Sequence, residues 1–213
     1  VLVACNIDRF ALLGVSGGGP FSVASAAYFG KRVCAQTLIG PVGPIADLKS
    51  ALPLNRLHRV LFLGLPQTPA ALRAISALGN LFFRLTPSLQ YAAFLRLLPD
   101  VDRAIVSDWD LKSLIIKDVR ESLRQDGEGM RADLKIFSQP WKVDYASIAA
   151  PSVIWQGLED TVVPLTAALR LGKLIPNCHV EEIPGAGHFW IYKNIERVLL
   201  RLRAQIGASR HVE

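Results

Sequence analysis

Cysteine is scarce in this chain, and its placement excludes two architectures. Cys5, Cys34 and Cys178 are odd in number and show no C-x-x-C spacing. Neither a disulfide framework nor a thiolate metal site is expected, and all three read as buried free thiols. Histidine is nearly as rare, occurring as His58, His179, His188 and His211. No cluster of His, Asp, Glu and Cys at ligand spacing calls for metal catalysis, and no cofactor is expected. Long apolar runs are lacking too: Leu61 to Leu65 is far too short for a membrane span, and Asn80, Arg84 and Gln90 interrupt Leu78 to Leu98. No Gly-Lys-Ser/Thr follows the glycine-rich stretch Gly14 to Gly19. Its spacing also fails as a dinucleotide turn, and no Asp or Glu lies about twenty residues on. The net charge is +6, which would suit a phosphate-bearing partner. The cations are scattered at helical spacing, however, as in Arg73, Arg84, Arg197, Arg201 and Arg203. They read as solvated helix faces, and no nucleic-acid partner is expected. No signal peptide opens the chain, and a cytoplasmic location is expected.

What is present begins with an apolar run, Phe10 to Leu13, that leads into Gly14-Val15-Ser16-Gly17-Gly18. Small residues and Pro20 follow, suited to a helix start, so the stretch reads as strand, sharp turn and helix. A serine at such a turn needs a strained backbone, tolerable when the residues two positions either side lack a clashing Cβ; Gly14 and Gly18 meet that demand. This is the G-x-S-x-G nucleophile elbow, which pushes a serine hydroxyl out at the end of a sheet. Two later segments extend the pattern. Pro151 to Gly157 reads as a β-branched, aromatic-containing strand running into Leu158-Glu159-Asp160-Thr161-Val162-Val163-Pro164. A carboxylate just past the end of a parallel strand sits where such sheets build their sites. Asp160 is the candidate acid, with Glu159 an adjacent competitor. His179 to Ile183 reads as a short strand, and the glycine-rich loop Pro184 to Gly187 then delivers His188. Ser16, Asp160 and His188 thus occur in the chain order Ser…Asp…His.

Together these elements resemble the α/β-hydrolase family, specifically members with a helical cap. The resemblance implies an α/β fold with a mostly parallel sheet flanked by helices, and it covers nearly the whole chain. It makes Ser16 the nucleophile, His188 the general base and Asp160 the residue that orients the imidazole. The backbone N–H of Gly17 would be one oxyanion-hole donor. It implies a serine hydrolase acting on an ester or similar small acyl substrate without a cofactor. Other chemistries stay open on this fold: perhydrolase, acyltransferase, aminopeptidase, lyase and carbon–carbon bond hydrolase. A non-catalytic ligand-binding protein is the alternative of a different class.

Between these core segments, 1–40 and 148–213, residues 41–147 change character and read as a helical cap or lid. Thr68, as N-cap before Pro69, opens a helix through Leu85; further helical runs extend from Ser88 to Leu98, Asp108 to Arg124 and Met130 to Phe137, with a break at Asp126 to Gly129. Phe82, Phe83, Tyr91, Phe94 and Trp141 would line an apolar pocket or form the lid's own core. The chain opens Val1-Leu2-Val3-Ala4-Cys5 without an initiator methionine, and only fifteen residues precede Ser16. Relatives of this kind carry several strands and a second oxyanion donor before the elbow. A fragment lacking the first part of the sheet is therefore expected, with an exposed apolar edge on the Phe10 to Val15 strand and self-association through it.

Overall fold

The computed structural model describes residues 2–48, 59–163 and 165–209. Four strands, β1 (Phe10–Val15), β2 (Val33–Ile39), β3 (Ser152–Gly157) and β4 (Cys178–Ile183), form one sheet in the order β1-β2-β3-β4. Every pairing is parallel. Eight α-helices occur among the described residues: α1 (Gly18–Phe29), α2 (Pro69–Leu85), α3 (Pro87–Leu97), α4 (Asp100–Val106), α5 (Trp109–Ser122), α6 (Glu128–Phe137), α7 (Leu165–Leu174) and α8 (Ile191–Ser209).

The chain divides into two compact units, Val1–Gly43 with Lys142–Glu213, and Pro44–Trp141. In the first, all six residues of β3 are buried, as expected for a parallel strand covered on both faces. Ile39, Val153 and Trp155 cluster with Ile191 and Val198 of α8 on one face. α1 packs against β1 and β2, and α7 against β3 and β4. The register sets Val15 opposite Ile39, Ile39 opposite Trp155 and Gly157 opposite Ile183. The loops after β1, β3 and β4 consequently leave from the same end of the sheet, where parallel sheets build sites. Among the described residues β1 pairs with β2 alone, leaving Leu13 and Val15 exposed on an open strand.

In the second unit, Leu72, Ser76, Asn80 and Phe83 form the buried face of α2, at the spacing of one helical stripe. Gln125 and Asp126 adopt φ of 59° and 55°, ending the helical path within the expected break of Asp126 to Gly129, although the last two residues of that stretch, Glu128 and Gly129, already belong to α6. Asn80 Nδ2 braces that break by donating to Asp126 Oδ1 at 3.1 Å. Phe83 and Tyr91 are buried, the Tyr91 hydroxyl donating to the Val106 carbonyl at 2.5 Å, while Phe82 is exposed. Phe94 packs against Tyr91, and Trp141 is half-buried.

Two local expectations are corrected. Thr68 does not cap α2 with its side chain; its hydroxyl donates back to the Leu65 carbonyl at 3.0 Å because Leu65–Gln67 forms a 3-10 turn. Asp108, by contrast, caps α5, accepting from the N–H groups of Asp110 and Leu111. Cys5 is exposed, since it lies in the turns that precede β1, whereas Cys34 and Cys178 are half-buried.

Candidate functional site

β1 delivers the chain into a turn at Ser16, whose φ of 51° lies in the left-handed region. For a residue with a Cβ this conformation costs about 1–2 kcal/mol, so the surroundings must hold it. Three backbone bonds do so: Ser16 N–H donates to the Ile39 carbonyl at 2.8 Å, and the Ser16 carbonyl accepts from Gly19 and Val42, each at 3.0 Å. Crowding explains Gly14, where a Cβ would lie 2.8 Å from Ser22 Cβ and 2.9 Å from the Gly18 carbonyl oxygen. The same reasoning fails for Gly18. A Cβ there meets nothing within 4 Å among the described residues, and the tight position is instead Gly19, 2.7 Å from Pro41 Cβ. The cause is the direction of α1, whose second residue faces the segment following β2. Gly17 directly precedes α1, where helix geometry leaves backbone N–H groups without intrahelical partners.

The loop after β3 carries Asp160, with a side chain only 1% exposed. One carboxylate oxygen, Oδ1, accepts from the N–H groups of Val162 at 2.8 Å and Val163 at 2.9 Å. The other, Oδ2, is 2.8 Å from His188 Nδ1 and accepts from Gln156 Nε2 at 3.2 Å. Glu159 takes no part: its side chain is exposed, and its N–H anchors the loop on the Ala186 carbonyl at 2.9 Å. After β4, a turn through Gly185 at φ of 69° brings His188 to the start of the 3-10 turn His188–Trp190. Its second ring nitrogen, Nε2, lies 3.0 Å from Ser16 Oγ.

Ser16, His188 and Asp160 therefore meet in one hydrogen-bonded chain. Because a carboxylate oxygen only accepts, the proton between His188 and Asp160 is assigned to Nδ1, leaving Nε2 to accept from the serine hydroxyl. Such an arrangement can remove a serine proton and pass it to a leaving group. His179 lies elsewhere, exposed on β4 and 3.2 Å from Glu181. His58 and His211 lie outside the described residues.

Two neighbours of this chain escaped the sequence reading. Gly40, at φ of 48°, lies just past β2, and a Cβ there would come within 3.2 Å of His188 Nδ1 and 3.3 Å of Asp160 Oδ2. A side chain there would crowd that pair and sit at a φ that favours glycine. Its signal was the glycine at a strand end, before Pro41. Gln156 is the second, its signal a polar residue inside a buried strand. Among the described residues no group of three or more His, Cys, Asp and Glu is arranged to hold a metal, and no helix is long and apolar enough to cross a membrane.

Comparison with known proteins adds a frame. A 2-hydroxy-6-oxo-2,4-heptadienoate hydrolase of Pseudomonas putida is 27% identical over 209 residues, a match covering 95% of this chain and 64% of the relative. The chain thus spans a little under two thirds of that relative's length. A meta-cleavage product hydrolase of Pseudomonas fluorescens shares the fold with a TM-score of 0.58 at 19% identity, covering 100% of this chain and 68% of that structure. A bromoperoxidase of Bacillus anthracis does so with a TM-score of 0.61 at 19% identity, covering 95% and 70%. The α/β-hydrolase fold family matches residues 1–194, and the chain belongs to that family.

Proposed function

We propose that this chain carries the catalytic centre of a serine hydrolase that cleaves an ester or similar small acyl substrate. The observation that supports it best is the unbroken path from Ser16 Oγ to His188 Nε2 at 3.0 Å and from His188 Nδ1 to Asp160 Oδ2 at 2.8 Å. His188 takes the hydroxyl proton as Ser16 Oγ attacks the carbonyl carbon, and Asp160 balances the imidazolium that forms. The oxyanion gains a donor in the Gly17 N–H. His188 then gives its proton to the leaving group, the carbonyl re-forms, and an acyl-serine remains. Water, deprotonated by the same histidine, attacks that ester and regenerates Ser16 as the acid departs. The helical segment 41–147 serves, in this proposal, as the cap that selects a small-molecule substrate. The three cysteines lie outside any disulfide, which fits a reducing compartment such as the cytoplasm. Self-association through the open edge of β1 belongs to the same proposal and would be read by light scattering.

The second reading is carbon–carbon bond hydrolysis of a keto acid, favoured by the 27% identity to the heptadienoate hydrolase. A panel of nitrophenyl esters beside a hydroxy-oxo-dienoate separates the two. The test of the common mechanism is intact-mass detection of a fluorophosphonate adduct on this chain and on its Ser16→Ala variant. An adduct on the parent and none on the variant is expected. A chain packed by near-UV circular dichroism that takes no adduct would refute the proposal.

A further inference from the structure

The geometry assigns Gln156 as a positioning residue that holds the Asp160 carboxylate in register with His188, an inference that rests on the serine-hydrolase reading of the site. The chemistry of the position is unusual. Gln156 lies in β3, which is buried at all six residues, and is itself 0% exposed. At such a place an aliphatic side chain is the ordinary occupant. A glutamine instead leaves its carbonyl oxygen, Oε1, buried without a hydrogen-bond partner among the described residues, and a buried unpaired acceptor is destabilising. What the side chain gains is on its other terminus: Nε2 donates to Asp160 Oδ2 at 3.2 Å, with a longer contact of 3.4 Å to the Gly157 carbonyl. The amide orientation follows from its neighbour, since a carboxylate oxygen accepts and would repel Oε1.

That one donor completes the carboxylate. Oδ1 is held by the N–H groups of Val162 and Val163, so the loop backbone fixes one oxygen. Oδ2 must aim at His188, and an sp² oxygen offers two lone-pair directions. His188 Nδ1–H occupies one and Gln156 Nε2–H the other. The carboxylate plane is thereby fixed at both ends, and the imidazole is presented to Ser16 without being able to draw Asp160 out of place. Groups facing His188 include Asp160 from the β3–α7 loop, the neutral Ser16 hydroxyl from the elbow, Gly40 after β2 and Phe189 beside it. Gln156 acts on this set through Asp160, and touches no reacting atom.

The test uses Gln156→Met, which keeps length and bulk but has no N–H, and Gln156→Glu, which keeps shape but places a second carboxyl against Oδ2. Two readouts are taken on each folded variant. The first is the rate of fluorophosphonate labelling at Ser16, expected to fall by about tenfold in Gln156→Met, the lower range for losing a partner that orients a functional side chain. The second is the downfield proton resonance of His188 Nδ1–H in the unlabelled protein. With the competing donor gone, Oδ2 binds that proton more tightly, and the resonance moves further downfield in Gln156→Met. A packing role alone would leave it in place, because methionine fills the same space. Should methionine prevent folding, Gln156→Glu carries the test, with the resonance again displaced. Wild-type resonance position and labelling rate in a folded variant would overturn the inference. Absence of labelling in the parent chain would instead count against the serine-hydrolase reading, while the resonance still reports whether Gln156 governs the Asp160–His188 bond.

Discussion

Gly14 and Gly18 flank Ser16 symmetrically in sequence, yet alanine at the two positions should act in opposite directions. At Gly14 the added Cβ would stand 2.8 Å from Ser22 Cβ and 2.9 Å from the Gly18 carbonyl oxygen. Relaxed carbon contacts lie at about 3.5–4.0 Å, so roughly 1 Å of overlap must be relieved, and one obstacle is backbone that cannot swing aside. Overpacking of this kind costs about 1–3 kcal/mol. Relief by parting β1 from α1 would carry Ser16 with it, and a displacement near 1 Å at a reacting atom lowers rates by about 100-fold. At Gly18 the Cβ meets none of the described residues within 4 Å, on a residue inside α1. There alanine restricts the unfolded chain and adds about 0.4–1 kcal/mol. The two variants should therefore differ by roughly 2–3 kcal/mol, or on the order of 5–10 °C in Tm for a chain of this size. Unfolding followed by near-UV circular dichroism reads this unit through Trp155 and Trp190, stacked at 5.7 Å. Fluorophosphonate labelling gives the kinetic half. Equal stabilities, or a Gly18→Ala variant more damaged than Gly14→Ala, would refute the steric account of the elbow.

Asp160→Asn should reduce labelling of Ser16 by about 10³–10⁴-fold, as loss of the orienting carboxylate does in such triads, while Glu159→Gln, altering an exposed side chain, should leave it unchanged; stopped-flow labelling distinguishes them. Burial pushes the Cys178 thiol up to about 11 from an ordinary value of 9.0. At pH 8 it should alkylate about 100-fold more slowly than an unperturbed cysteine, since only the thiolate reacts. The fold favours the protonated thiol, so its contribution to stability is complete below pH 9.0 and lost as pH rises through about 11. Alkaline unfolding midpoints of the parent and of Cys178→Ala should converge across that window. Thr37 is fully buried, and its hydroxyl has no partner among the described residues; Thr37→Val should raise stability by about 1 kcal/mol in urea titration.

The strands β1, β3 and β4 and most helices were legible because their signals are local. The run from Phe10 and the β-branched stretch from Ser152 are apolar enough to read as strands, and β1 and β3 occupy them, β3 fully buried and β1 exposed at Leu13 and Val15. α4 was missed because its seven residues, Asp100–Val106, are too few to display a period and open with two carboxylates. Thr68 misled because a threonine before proline carries the signature of a cap, while the actual bond depends on a 3-10 turn just upstream. Ser16, Asp160 and His188 could be picked out as polar residues following strand signals in a given order. Gly40 and Gln156 carried only generic signals, a glycine at a strand end and a polar residue in a strand, and nothing near them in sequence reveals that Asp160 and His188 will arrive beside them. The same holds within the elbow, where the crowding at Gly19 comes from Pro41, on the far side of β2.

Ser16 and His188 are 172 residues apart, and the helical unit Pro44–Trp141 is interposed between β2 and β3. At ribosomal speeds of about 5–20 residues per second, roughly 9–34 s separate the synthesis of the two residues. During that interval β1 and β2 have emerged, but β2 cannot zip to β3, and the strained turn at Ser16 lacks the neighbours that arrive last. The helical unit is continuous in sequence and rich in near-neighbour contacts, so it can close while the sheet waits. Assembly on the ribosome should run from the interrupting segment inward, with the two halves of the sheet joining only after β3 clears the exit tunnel and the serine and histidine meeting last.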